Sequence, residues 1–219
     1  MTPPCHSVAI GASATCCIAC RRCRASAWRR CFDGDSGCLG PASGSCQKCI
    51  EHGHLMDEAT ARLIGERGVW LSIQPLPEEL AEAFPPGSKQ RAKAAEVFAG
   101  TDVAYRLARK YKLKTAWGTD ILFSPRLARR QGELLVKLER WYTPAEALVM
   151  ATRTNAELLA LCGKRNHYPG RLGVVEEGAL ADLLLVDGDP IENIKLIAGP
   201  AKNFVVIMKD GKIYKNLIR

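Results

Sequence analysis

The chain has 219 residues, of which 47% are hydrophobic and 25% charged, with a mean hydropathy of −0.08. These values exclude a disordered polypeptide and describe a globular body able to bury a core. The formal charge of +8 is scattered over an N-terminal segment and several predicted helices rather than gathered in one stripe, so no nucleic-acid partner is expected. No stretch reaches the roughly 18 apolar residues of a membrane span, and the N-terminus lacks the charged-then-apolar order of a secretory signal; a cytoplasmic protein with no membrane partner is expected.

Nine of the ten cysteines lie in the first 49 residues, and Cys162 is the tenth. Residues 1–46 hold no apolar period of 3.6 or 2 and read as a cysteine-rich leader without a packed core. The pairs Cys17/Cys20, Cys20/Cys23 and Cys46/Cys49 have the spacing of zinc hooks, since one turn can then present two thiolates to a tetrahedral ion. A segment this rich in cysteine also yields such pairs by chance, and no strand-and-turn pattern of a zinc ribbon flanks them. An Arg-rich, acid-poor N-terminus suits an organelle transit peptide, which is not crowded with cysteine. The favoured reading is out-of-frame or wrongly joined sequence in place of an upstream half.

From Gln47 onward the pattern is that of a folded body. Residues 48–51 are a short strand ending in His52-Gly53-His54. A helix follows, with Asp57 as N-cap, Glu58 in the first turn, Leu63 and Ile64 facing inward and Gly68 as its stop. A second strand, Val69 to Ile73, completes a βαβ unit with parallel strands. Beyond a proline-containing loop, a helix is predicted from about Ser88 to Lys112, then a third strand over Thr115-Ala116-Trp117 running into Gly118-Thr119-Asp120. Thr143-Pro144-Ala145-Glu146 spells a capping box with proline at the first helical position. After Tyr168-Pro169-Gly170 the pattern turns to β: strands over 172–175, 183–186 and 203–208, with Asp210-Gly211 as a two-residue hairpin turn into Lys212-Ile213-Tyr214.

Catalytic groups of parallel α/β barrels sit at the C-terminal ends of strands, where loops converge. His52 ends the first strand and Asp120 follows the third. An imidazole and a carboxylate so placed suit a hydrolytic metal centre, one holding the ion and the other taking the proton of its water. Spacing alone equally allows a structural histidine and an ordinary Gly-Thr-Asp turn. His54 is read as a loop residue beside the same mouth, and His167 as an exposed loop histidine.

Four segments in order sharpen this reading: Ile50-Glu51-His52-Gly53-His54; Gly118-Thr119-Asp120; Ala151-Thr152 with Asn155-Ala156; and Gly173-x-x-x-Glu177-Gly178-x-x-Ala181-Asp182-Leu183 with Asp187-Gly188-Asp189-Pro190. Together they resemble the amidohydrolase superfamily, in its imidazolonepropionase-like and Xaa-Pro dipeptidase-like branch. The resemblance implies an α/β fold: a partial (β/α)8 TIM-barrel, strands six to eight, over residues 47–165, followed by part of a small β-sandwich in a composite domain over 166–219. It implies metal-activated water attacking an amide-like C–N bond, with a divalent metal, zinc foremost, as cofactor and a small amide or dipeptide-like substrate. His52 takes the place of the sixth-strand metal ligand, and Asp120 that of the eighth-strand residue that binds metal and shuttles the proton. His54 is a candidate for substrate binding. A homo-oligomer is compatible with all of this.

The family's first-strand His-x-His, fourth-strand Lys and fifth-strand His have no counterpart before residue 47. His52-x-His54 does not supply the first-strand pair, because one complete strand separates it from Asp120, where first and eighth strands would be separated by six. Two recognisable ligands fall short of the three protein ligands usual for zinc enzymes. The sequence therefore also admits an inactive fragment, or a zinc-binding interaction module in the leader. As written, the chain is expected to be an inefficient hydrolase.

Overall fold

The computed structural model describes residues 48–76, 79–82, 84–121 and 125–218. All eight cysteines of the leader lie outside the described residues, and with them the zinc-hook pairs as pairs. The chain divides into two compact units, one holding residues up to 73 and 78–115, the other 74–77 and 116–219.

In the first unit, strand β1 (Cys49–Glu51) pairs in parallel with β2 (Trp70–Ile73), Ile50 opposite Leu71. The connecting helix α1 (Glu58–Arg67) is set by local chemistry: the Asp57 carboxylate accepts from the Thr60 N–H at 2.7 Å, and Gly68 closes the helix at φ 61°. Ile64 is buried as read, while Leu63 is half-buried. After a short helical turn, α2 (Glu79–Glu82), comes the long helix α3 (Lys89–Lys110), capped by the Ser88 hydroxyl on the Arg91 N–H at 3.1 Å. Its buried stripe is Thr101, Ala104, Tyr105 and Ala108, the i, i+3, i+4, i+7 pattern of one helical face. Val103, one of the helix's bulkier apolar side chains, is half exposed. Tyr105 ties the helix to the sheet by donating its hydroxyl to the Ile73 carbonyl at 3.2 Å. All four residues of β2 are buried, and the first sheet has the order β1-β2-β3, with β3 spanning Lys114–Trp117.

The second unit opens on the end of β3 and continues through short helices, α4 (Pro125–Ala128) and α5 (Gln131–Val136). Helix α5 lies against a 3-10 turn at Ile194–Ala198, so close at Gly132 that any side chain there would strike the Ile197 carbonyl. Helix α6 (Pro144–Val149) has the predicted capping box, with Thr143 and Glu146 bonded reciprocally. It runs through a π-turn (Met150–Thr154) into α7 (Asn155–Ala160).

The C-terminal sheet is antiparallel, in the order β4-β5-β6, from β4 (Leu183–Val186), β5 (Phe204–Lys209) and β6 (Lys212–Asn216), with α8 (Pro200–Asn203) leading into β5. Asp210 and Gly211 join the last two strands with φ of 51° and 72°, the left-handed pair of a tight hairpin. One expectation fails here: residues 172–175 form no strand. Gly173 has φ 72° and brings its backbone onto Thr152 and Arg153, where a Cβ would stand 2.5 Å from the Thr152 carbonyl. That conformation leaves the extended region, and the segment retains an isolated bridge, Arg171 to Ala179.

Candidate functional site

Two strand ends carry the residues singled out in the sequence, and each is held in its own way. At the end of β1 the ladder extends one residue, the His52 N–H donating to the Ser72 carbonyl at 2.8 Å. The backbone then turns left-handed at both His52, φ 71°, and Gly53, φ 58°. Glycine is required at the second position: a Cβ there would lie 2.6 Å from Leu71 Cδ1. The turn closes with the Met56 N–H on the Gly53 carbonyl at 3.1 Å.

His54 is buried, at 6% exposure, and its ring stands 6.2 Å from that of His52, centroid to centroid. Its Nδ1 lies 3.0 Å from the Thr101 hydroxyl, on the buried stripe of α3. The helix approaches this loop closely at Gly100, where any side chain would meet the His54 carbonyl and the Leu55 side chain. Gly100 and Thr101 are residues that sequence reasoning missed. A glycine in the middle of a long helix is costly unless something packs against it, and that was the available signal.

In the second unit, the end of β3 is held by a borrowed amide. Asn155 Oδ1 accepts from the Trp117 N–H at 2.9 Å and its Nδ2 donates to the Trp117 carbonyl at 2.8 Å, so one side chain does what a neighbouring strand would do. Gly118 follows, 3.7 Å from the buried Gln74 amide if given a Cβ. Asp120, exposed, has φ 48°. Asn155 stood in the quoted motif without a role; its partner 38 residues away is invisible to local pattern.

His52 and Asp120 thus share an uncommon property. Both are non-glycine residues with left-handed backbone at the end of a strand. A third, Lys112, precedes β3, and Asp210 serves the hairpin. The described residues contain no group of three or more His, Cys, Asp or Glu side chains able to hold a metal ion. By themselves they do not fit the divalent metal that the sequence implies. Cys49 is a β1 residue whose thiol burial pushes well above its ordinary value, helped by the Glu51 carboxylate 3.4 Å away. It is held as a neutral thiol rather than a thiolate.

Comparison with known proteins agrees with the motifs. The model of the amidohydrolase family matches residues 36–218, and the chain belongs to that family. The match begins ahead of Gln47, inside the segment read as leader. Among solved structures, an amidohydrolase superposes with a TM-score of 0.70 at 27% identity, covering 89% of this chain and 43% of its own. A prolidase solved with N-methylphosphonate-L-proline gives 0.66 at 28% identity, covering 77% and 40%. A Xaa-Pro dipeptidase with methionine in its active site gives 0.58 at 26% identity, again covering 77% and 40%. The chain therefore spans about two fifths of the length of these structures. No curated protein sequence matches it. The family implies a TIM-barrel-type fold with mixed α/β content, in keeping with the parallel β1-α1-β2 unit. Among the described residues no helix is long and apolar enough to cross a membrane.

Proposed function

We propose that the chain is part of a hydrolase that cleaves amide-like C–N bonds of small substrates, dipeptide-like ones foremost, with β1, β2 and β3 as the sixth to eighth strands of a barrel. The observation that carries this reading is the shared left-handed backbone of His52 and Asp120 at strand ends, because strain at a non-glycine residue persists where a side chain must be aimed. In this reading Asp120 takes the proton of the attacking water and returns it to the leaving nitrogen. His52 holds its loop position as a ligand or a hydrogen-bonding group, and His54 lies on the substrate side of the same loop. The divalent metal, zinc foremost, would take His52 and Asp120 as two of its ligands, and the described residues do not offer a third. The solved prolidase and the Xaa-Pro dipeptidase support dipeptides as the first substrates to try.

The missing third ligand favours a second reading, in which this chain alone turns over substrate poorly. One assay separates the two. The purified chain, with zinc or manganese supplied, is run against dipeptides and N-acyl amino acids beside a full-length relative. Turnover within about tenfold of the relative, abolished by Asp120→Asn, supports the first reading. Turnover at background, unchanged by Asp120→Asn, supports the second.

A further inference from the structure

Asn155 is out of place by local rules. It stands inside one continuous helical run, from Pro144 to Ala160, where asparagine is a poor helix former because its amide competes for nearby backbone groups. Here the amide reaches out of the helix and spans both main-chain groups of Trp117, 2.9 Å to the N–H and 2.8 Å to the carbonyl. A backbone N–H only donates and a carbonyl only accepts, so the orientation of the carboxamide is fixed by its partner. The indole Nε1 of Trp117 is buried and makes no hydrogen bond among the described residues, so the ring adds no polar anchor of its own.

The run that carries Asn155 is irregular as well. The wide turn at Met150–Thr154, a form that recurs at functional sites, is braced by the Thr152 hydroxyl, which donates to the Leu148 carbonyl at 2.7 Å. Gly173 seats against the turn from outside: its φ of 72° and its approach to the Thr152–Arg153 peptide both demand glycine. Two locally uncommon choices, a wide turn and a helical asparagine, thus converge on one backbone position. Three residues beyond it is Asp120, a non-glycine residue with φ 48°, a conformation that persists where the surroundings over-determine it.

We propose that Asn155 is a positioning residue: seated by the wide turn and Gly173, it pins the end of β3 at Trp117 and so imposes the left-handed backbone that carries Asp120. The use of Asp120 in catalysis rests on the hydrolase reading above; the control of its backbone does not.

The test is NMR of the full chain. At φ 48° the amide and α hydrogens of Asp120 are almost eclipsed, so a strong cross-peak between them is expected, together with slow hydrogen exchange at the Trp117 N–H. A Trp117 N–H that exchanges as in an open chain, or an Asp120 cross-peak of extended backbone, overturns the proposal in the unaltered chain, so a variant that fails to fold does not shelter it. Asn155→Ala removes the clamp, and Gly173→Ala drives a methyl group into the Thr152–Arg153 peptide. Each should speed Trp117 exchange about tenfold, the scale of a lost hydrogen bond, and weaken the Asp120 cross-peak. Asn155→Asp keeps the acceptor without the donor and should fall between the parent chain and Asn155→Ala. Thr143→Ala, which loosens the same helical run at its far end, should leave both signals in place. An unchanged Asp120 cross-peak in either folded alanine variant at 155 or 173 overturns the proposal, as does an equal response to Thr143→Ala, the mark of general loosening. Dipeptide turnover is read separately. If it is present, Asn155→Ala should lower kcat with little change in KM. Its absence in the unaltered chain, with the NMR responses intact, sinks the hydrolase reading for this chain and leaves the positioning role standing.

Discussion

Two strands of four residues meet opposite fates in this molecule. Strand β2, Trp-Leu-Ser-Ile, contains a serine and is buried throughout, whereas β4, Leu-Leu-Leu-Val, is wholly apolar and exposes Leu183 by 37%, Leu184 by 52% and Leu185 by 50%. Apolar content does not decide between them. Strand β2 lies between two strands of its sheet and receives Tyr105 of α3 on the Ile73 carbonyl. Strand β4 is an edge, paired to β5 alone, and its three leucines remain exposed. Burial is a property of what covers a strand, and a hydropathy reading of Leu183 to Val186 as buried is a statement about a cover that must be sought elsewhere.

Equivalent truncations put the largest number on this contrast. Ile73→Ala removes a side chain with no exposure, and should cost about 2–5 kcal/mol in a urea titration. A cost under about 1 kcal/mol would mean that the first sheet is not the core it resembles. Next in size, Gly100→Ala forces a methyl group against the His54 carbonyl and should cost about 1–3 kcal/mol, read from the same titration. An Ala variant as stable as the parent chain would show that the helix can lift off the loop freely. Thr143→Ala tests a purely local contribution in the second unit. Losing the cap of α6 should cost about 1 kcal/mol, and a value near zero would mean that this helix is held by its packing instead. The smallest effect belongs to β4: Leu184→Ser should change folding stability by less than about 0.5 kcal/mol. If it costs as much as Ile73→Ala, β4 is covered in solution, and the contrast between the two strands disappears.

The same distinction separates what was legible in the sequence from what was not. Asp57, Gly68, the Thr143 and Glu146 pair, and Asp210-Gly211 act on residues within four positions of themselves, so residue type and spacing suffice. The strand predicted over 172–175 was lost to a contact that the local pattern does not contain, the approach of Gly173 to Thr152 and Arg153. At the candidate site, the places of His52 and Asp120 at the ends of strands were legible because a motif flags them. What holds those strand ends was not found: Thr101 acts on a histidine 47 residues away and Asn155 on a backbone 38 residues away. Neither pairing has a periodicity, and an unusual residue in an ordinary helix, Gly100, was the one trace it left.

The π-turn at Met150–Thr154 makes chain length, and not residue type alone, a determinant of the Asp120 strand end. A wide turn of this kind accommodates one extra residue in an otherwise α-helical run. Deleting a single residue, Arg153 for instance, would let the segment relax to an ordinary α-helix with Asn155 kept on its face, whereas straightening the turn at unchanged length would swing every side chain beyond it by about 100° around the axis. Asn155 would then face away from Trp117, and both backbone groups of that residue would lose their partner although no residue touching them had been substituted. The wide turn between 150 and 154 is therefore what keeps Asn155 on the Trp117 backbone, three residues before Asp120.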